Sequence, residues 1–250
     1  MSPNVEKLPV QAAPNITDVF ALFLEDQRER LQPKTFTKYE GVVRLLESYL
    51  NGYAYQSLSN AEARWFDRHF NAEGDAHREF AQLFAPEKVP GHLEGFLRVF
   101  MIRKVIAGED FKRSAGTVTK KLSKWLAANG YVGTDAVHEG VKRSTEAGQE
   151  LVAAERAARI LGDAAERLGI DTLALSDEDY EEFDQFTIAR VEPGRLWLEV
   201  WVEGKPIERG PIAVPKEATK LLQQGWDVSC ALARVRERWH LVEMANVYPR

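Results

Sequence analysis

The hydrophobic period of this chain changes once. From Ile16 to Leu168 the apolar residues recur at helical spacing, and from Phe186 onward they alternate every second residue. Spacing that fills one face of a helix scatters over both faces of a strand, and the reverse is equally true. The switch therefore predicts an α+β chain of several domains. A helical N-terminal part comes first, then a long connecting helix, then a small β domain.

Local signals place the elements. Asn15 can cap a helix whose stripe is Ile16, Val19, Phe20, Phe23 and Leu24, with Asp18 favouring the positive start. Pro33 opens a second helix bearing Tyr39, Val42, Val43, Leu46, Tyr49 and Leu50, and Asn51-Gly52 is a stop signal. A short connector between the two predicts a hairpin. Ser59 or Asn60 can cap a helix with Trp65, Phe66 and Phe70, and Phe80 to Phe84 suggests another, ended by Pro86. After Pro90 comes an amphipathic stretch with Leu93, Phe96, Leu97, Phe100 and Met101. Ser114 is the expected cap of the next helix, which carries Val118, Leu122, Trp125 and Leu126 and ends at Asn129-Gly130. Residues 135–169 form a long Ala-, Glu- and Arg-rich helix with a thin stripe of Val137, Val141, Leu151, Ala158, Leu161, Ala165 and Leu168. Such a stripe suits a connector or a helix that pairs with a second chain.

In the last part, Leu196, Leu198, Val200 and Val202 alternate with Trp197, Glu199 and Trp201. Pro193-Gly194 and Gly204-Lys205 are turns, Lys216 to Gln224 is a short helix, and Arg236-Glu237-Arg238 joins two further strands. About five short strands suit a small SH3-like β-barrel. The expected domains are a disordered tail at 1–14, a helical domain at 15–134, a helical connector at 135–175 and the β-barrel at 176–250.

Composition narrows the function classes. The single cysteine, Cys230, cannot form an internal disulfide and excludes a cysteine-based zinc site. No apolar run approaches the ~18 residues that cross a bilayer, and the N-terminus lacks the pattern of a signal peptide. A cytoplasmic protein without membrane contact is expected. The net charge of −5 argues against a globally basic surface, so any nucleic-acid contact must be local. Such asymmetry exists. Arg98, Arg103, Lys104, Lys112, Arg113, Lys120, Lys121 and Lys124 face only Glu109 and Asp110 in the same stretch. Asp177, Glu178, Asp179, Glu181, Glu182 and Asp184 crowd a short acidic segment, expected to be a solvated linker.

The motifs Phe23-Leu24, Leu31-Gln32-Pro33-Lys34-Thr35, Tyr39, Leu45-Leu46 and Tyr49-Leu50 combine with the run from Ser114 to Val132. Together they resemble the two helical hairpins of the SAM-like core-binding domain of tyrosine recombinases, the phage integrases. The resemblance covers residues 16–50 and 92–132. It implies an all-α module that grips duplex DNA and performs no chemistry. The catalytic domain that follows it in that family carries a His-x-x-Arg motif. Here the third residue after each histidine is Ala72, Phe80, Gly95, Val141 or Glu243, so strand recombination is not expected.

The resemblance puts the DNA-facing positions at Lys34, Thr35 and Lys38, then at Thr117, Lys120, Lys121 and Lys124. The charge pattern adds Arg103, Lys104, Lys112 and Arg113. Lysine neutralises phosphate and releases counterions, while hydroxyls and free amides at a helix start bond phosphate oxygens. The competing reading is a set of ordinary solubilising side chains. Trp197 and Trp201 form a binding platform if exposed and an interdomain core if covered, and covering is the expected case. No nucleophile, metal or phosphate-loop constellation is visible, so no enzyme activity and no cofactor are expected. The function expected from the sequence is a non-catalytic DNA-binding or DNA-associated protein. The alternative is a protein-interaction scaffold, acting through helix 135–169 or the β-barrel on a protein partner or a second copy.

Overall fold

The computed structural model describes residues 10–202 and 204–250, apart from the side chains of 134–140, 144, 174 and 177. The chain is α+β, with a helical N-terminal part and a C-terminal five-strand antiparallel sheet that is not closed. It divides into two compact units. One comprises Met1–Leu97 with Ser114–Glu146, the other Arg98–Arg113 with Ala147–Arg250. Most of the expected tail, and Val137 of the long-helix stripe, lie outside what is described.

In the helical unit, α1 (Ile16–Arg30) and α2 (Pro33–Tyr53) form the expected hairpin. Asn15 and Asp18 make a reciprocal capping box, each side chain accepting the other's amide at 3.0 and 3.1 Å. Asn51-Gly52 does not stop α2, which runs to Tyr53 and tightens into a 3-10 turn. The Asn51 carboxamide oxygen instead accepts the amide of Ala81 at 2.9 Å, so a residue suited to ending a helix caps a neighbour. The described end of the tail is not loose. Ala12 donates its amide to the carbonyl of Leu83 at 2.9 Å.

The short helices follow. These are α3 (Asn60–Phe70, capped by Ser59), α4 (Phe80–Leu83), α5 (Leu93–Gly95), a π-helical stretch Phe96–Phe100, and α6 (Met101–Arg103). A Cβ at Gly95 would collide with the Tyr49 hydroxyl, so a larger residue there has to displace the Tyr49 side chain. Helix α7 is Glu109–Ala128, so Ser114 lies inside it and is not its cap. Gly108 accepts the amides of Phe111 and Lys112, and the acids Glu109 and Asp110 occupy the positive first turn, which starts the helix earlier. Its end is the expected one. Gly130 at φ +75 lets its own amide reach Ala127 and that of Tyr131 reach Leu126, the paired bonds of a Schellman motif.

Helix α8 (Thr134–Leu168) carries the division between the units, and its second half does more than connect. Ala154, Ala157, Leu161 and Ala165 are buried in one core with Ile188, Leu196, Leu198, Val228, Cys230 and Leu232 of the sheet. Small alanines let the helix backbone approach the sheet closely, so a stripe too thin to build a core alone completes one.

The strands are β1 (Tyr180–Glu192), β2 (Arg195–Val202), β3 (Lys205–Ala213), β4 (Asp227–Val235) and β5 (Arg238–Tyr248), in the order β3-β2-β1-β4-β5. A short helix α9 (Lys216–Thr219) lies between β3 and β4. The acidic stretch is therefore not simply a linker, since β1 begins inside it. Asp179 accepts from Arg234 at 2.7 Å, and Glu181 pairs with Arg209 at 2.6 Å. On β5, strict alternation would put Trp239, Leu241 and Glu243 on one face, but register shifts move the core-facing positions from Leu241 to Met244. The turn between β4 and β5 holds Arg236 and Glu237 at φ +49 and +61, the primed geometry that matches strand twist.

Candidate nucleic-acid interface

The helical unit gathers part of the predicted basic set. The hairpin brings the end of α1 beside the start of α2, and the Arg28 guanidinium lies 5.0 Å from the Phe36 ring centre. An aromatic cluster fixes α7 against both helices. Phe23 meets Trp125 edge-on at 5.6 Å and Tyr39 at 6.3 Å. Lys121 then crosses from α7 onto α2, its ammonium 5.4 Å from the Tyr39 ring centre. Tyr39 is one residue from Lys38 and one helical turn from Lys34 and Thr35, so Lys121 shares a surface with the start of α2.

Along α7, Ala115, Val118, Leu122 and Leu126 are buried, while Thr117, Lys121 and Lys124 are exposed and Lys120 is half-buried. Thr119 and Ser123 are also buried, their hydroxyls donating to the carbonyls of Ala115 and Thr119 at 2.9 Å. The helix thus shows one basic flank to solvent. Lys34 and Thr35 are exposed at the head of α2. The Thr35 amide is not free for an anion, because it donates to the Gln32 carbonyl at 2.9 Å. Its hydroxyl is the group left to offer. Arg28 belongs to this surface and carries no motif of its own. Only its charge in the last turn of α1, next to a short connector, signals it. Its Glu40 partner stands 3.7 Å away and both groups are solvated, which makes the pair weak.

The remaining predicted cations belong to the other unit and do different work. Lys112 is buried and ion-paired to Glu155, so it is no surface cation. Its partner lies on another helix, far along the sequence, which no local pattern reveals. Arg113 and Arg156 both bind the Glu109 carboxylate, and the Arg156 hydrogen bond foremost holds that carboxyl below its usual range. Arg103 donates to the Gln185 carboxamide at 2.8 Å and lies 4.7 Å from the Tyr248 ring centre. Lys104 is exposed.

The two strand tryptophans separate. Trp197 is buried, with the Arg190 guanidinium 3.7 Å from its ring centre, and Trp201 is 66% exposed. Only Trp197 is covered, and the group over its ring is Arg190 of the same unit. Among the described residues no group of three or more histidine, cysteine or carboxylate side chains is placed to hold a metal ion, and no helix is long and apolar enough to cross a membrane. Comparison with family models, with curated proteins and with solved structures returned no match.

Proposed function

We propose that this chain is a non-catalytic DNA-binding protein that contacts the phosphate backbone of a duplex through the helical unit. The observation that carries this reading is the placement of Lys121 over Tyr39, which joins the basic flank of α7 to the Lys34, Thr35 and Lys38 start of α2. Lysines on two helices, spaced by a rigid aromatic cluster, can follow successive phosphates, and a Thr hydroxyl can bond a phosphate oxygen. In this reading the helical unit works as a core-binding-like module of the SAM-like type. The sheet works as an SH3-like barrel whose edges β3 and β5 are brought together by the Arg209 guanidinium, 4.7 Å from the Trp239 ring centre.

The test is titration of a fluorescent duplex of about 20 base pairs from about 50 to about 200 mM salt, where each phosphate contact contributes about 0.9 to the slope of log affinity on log salt. The triple change Lys34→Gln, Lys121→Gln, Lys124→Gln is expected to flatten that slope by about 2–3 and to weaken binding similarly for unrelated duplex sequences. Absence of binding at the lowest salt, or a slope indifferent to the triple change, overturns the reading.

A further inference from the structure

The sheet unit contains a place where two neighbouring strands part. The ladder between β1 and β2 runs from Glu192↔Arg195 to Thr187↔Glu199 and ends there. Both strands continue beyond that point. From Phe186 back to Tyr180, β1 pairs with β4, through a register shift between Glu181 and Asp184, while Val200, Trp201 and Val202 of β2 pair with β3. Each strand thus keeps its outer neighbour and loses its inner one.

The hydrogen bonds show which backbone groups this leaves open. The Ile188 amide donates to Trp226 at 2.7 Å and the Ile188 carbonyl accepts from Gly225 at 2.9 Å, so Ile188 bonds toward β4. Strand alternation then turns the amide and carbonyl of Gln185 away from β4, toward the side β2 has left. The Gln185 amide is covered by the carboxylate of its own neighbour, Asp184, at 2.7 Å. A side chain standing in for a missing strand partner marks an open edge. The Gln185 side chain is engaged elsewhere, with Arg103 and with Asp227 at 2.9 Å, so the backbone is what this residue offers the opening.

A cavity of about 400 Å³ occupies the parting, lined by 180–186, Val200 and Trp201. Two large rings border it in the open, Phe183 at 48% and Trp201 at 66% exposure. Its charge is one-sided. Glu181 is neutralised by Arg209 and Asp179 by Arg234, whereas Glu182 and Asp184 have no ion-pair partner among the described residues.

We propose that this parting is a docking site for an extended peptide rich in lysine or arginine, which adds as a strand to the freed edge of β1. A peptide carbonyl takes over the Gln185 amide. The Asp184 carboxylate, released from that amide, joins Glu182 in binding cationic side chains, and Trp201 and Phe183 lie against their alkyl stems and charged heads. The negative rim disfavours nucleic acid here, so this site and the basic surface of the helical unit select opposite charges.

The probe is a nine-residue peptide alternating arginine and valine, titrated into the whole chain and read by calorimetry and tryptophan emission. A second peptide of the same sequence carries N-methyl groups on alternate amides, which removes strand pairing and keeps the charge. The expected result is saturable binding that weakens at least about tenfold with the methylated peptide, with Trp201→Ala and with Glu182→Gln plus Asp184→Asn. Equal binding of both peptides reduces the effect to charge attraction and overturns the proposal, as does indifference to the Trp201 change. Loss of self-association in Trp201→Ala without any peptide binding makes a second copy the occupant. Trp201-dependent binding of single-stranded DNA in place of the peptide makes the site a stacking platform. Either outcome overturns the proposal. Amide spectra of the variants in the free state establish that each is folded.

Discussion

The two units use their aromatic rings differently. In the helical unit rings pack mainly on rings, with Arg28 over Phe36 and Lys121 over Tyr39 beside them. Phe80 contacts Phe84 at 4.4 Å, Phe66 at 6.1 Å and His92 at 6.2 Å, and Trp125 stacks on Tyr131 at 5.7 Å. In the sheet unit the large rings lie under guanidinium groups: Trp197 under Arg190, Trp239 under Arg209 and Arg234, Tyr248 under Arg103. The core beneath the sheet is mostly aliphatic, with Phe186 and Trp226 among its members, and is closed by the alanine face of α8. Short helices with irregular connections leave gaps that large flat rings can fill. A sheet facing a helix needs small residues on the helix and branched ones on the strands, which leaves Trp197, Trp239 and Tyr248 for the rim, where arginine stems cover them.

This contrast can be broken by substitution. Phe80→Ala removes a fully buried ring with three aromatic neighbours, and a loss of about 3–5 kcal/mol is expected, read as faster amide hydrogen exchange in the helical unit. Leu161→Ala tests the aliphatic core in the same way, with about 2–5 kcal/mol expected and the exchange confined to sheet amides. A cost near zero for Phe80 would show that the ring cluster is ornament on a core built elsewhere.

Trp197→Ala and Trp201→Ala sharpen the rim. The buried ring should cost about 3–5 kcal/mol and the exposed one under about 0.5 kcal/mol in denaturant titration. Gly210→Ala is next in size. A Cβ there would lie 2.6 Å from the Trp197 ring and 2.8 Å from the Leu196 carbonyl oxygen, and about 1–3 kcal/mol of overpacking is expected. Equal midpoints for Gly210→Ala and the parent chain would mean that the Trp197 ring, the Leu196 carbonyl and the Gly210 backbone at φ +157 can all yield.

The smallest effect is a pH dependence. Burial foremost, with the charge of Lys88, holds the His92 imidazole below its usual 6.5. The unfolded chain therefore binds that proton first. Stability from this group is complete above about pH 6.5 and falls as pH drops through the folded value. His92→Gln should flatten that limb of a stability–pH curve and leave the limb above it unchanged. An unaltered acid limb would assign it to carboxylates such as Asp179, which its hydrogen bond from Arg234 foremost holds below its usual range.

Most helix ends with local chemistry were legible, although Ser114 is not the cap of α7, which Gly108, Glu109 and Asp110 start earlier. Asn15, Pro33, Ser59 and Gly130 each act within a few residues of themselves, and each stands where its type predicts. What the sequence hid depends on partners far along the chain. Asn51 looks like a stop until Ala81 supplies an amide, and Lys112 looks like a surface cation until Glu155 takes it inside. The acidic stretch reads as solvated until Arg209 and Arg234 arrive from other strands. The lysines of α7 were legible through their spacing, because one helix defines its own flank. Arg28 was not, because its place on that surface depends on how the hairpin folds back. The parting of β1 from β2 had no sequence signal either, since a ladder's end is a relation between strands.

Cys230 is the only cysteine of the chain and is fully buried in the middle of the sheet unit, where burial pushes its thiol far above the ordinary range. It is therefore a chemical clock. A thiol reagent can reach it only while the sheet is open, and only as thiolate, so the labelling rate under native conditions is the opening equilibrium multiplied by the reactivity of an exposed cysteine. One modification, counted by mass, times the breathing of that half of the molecule without any engineered probe.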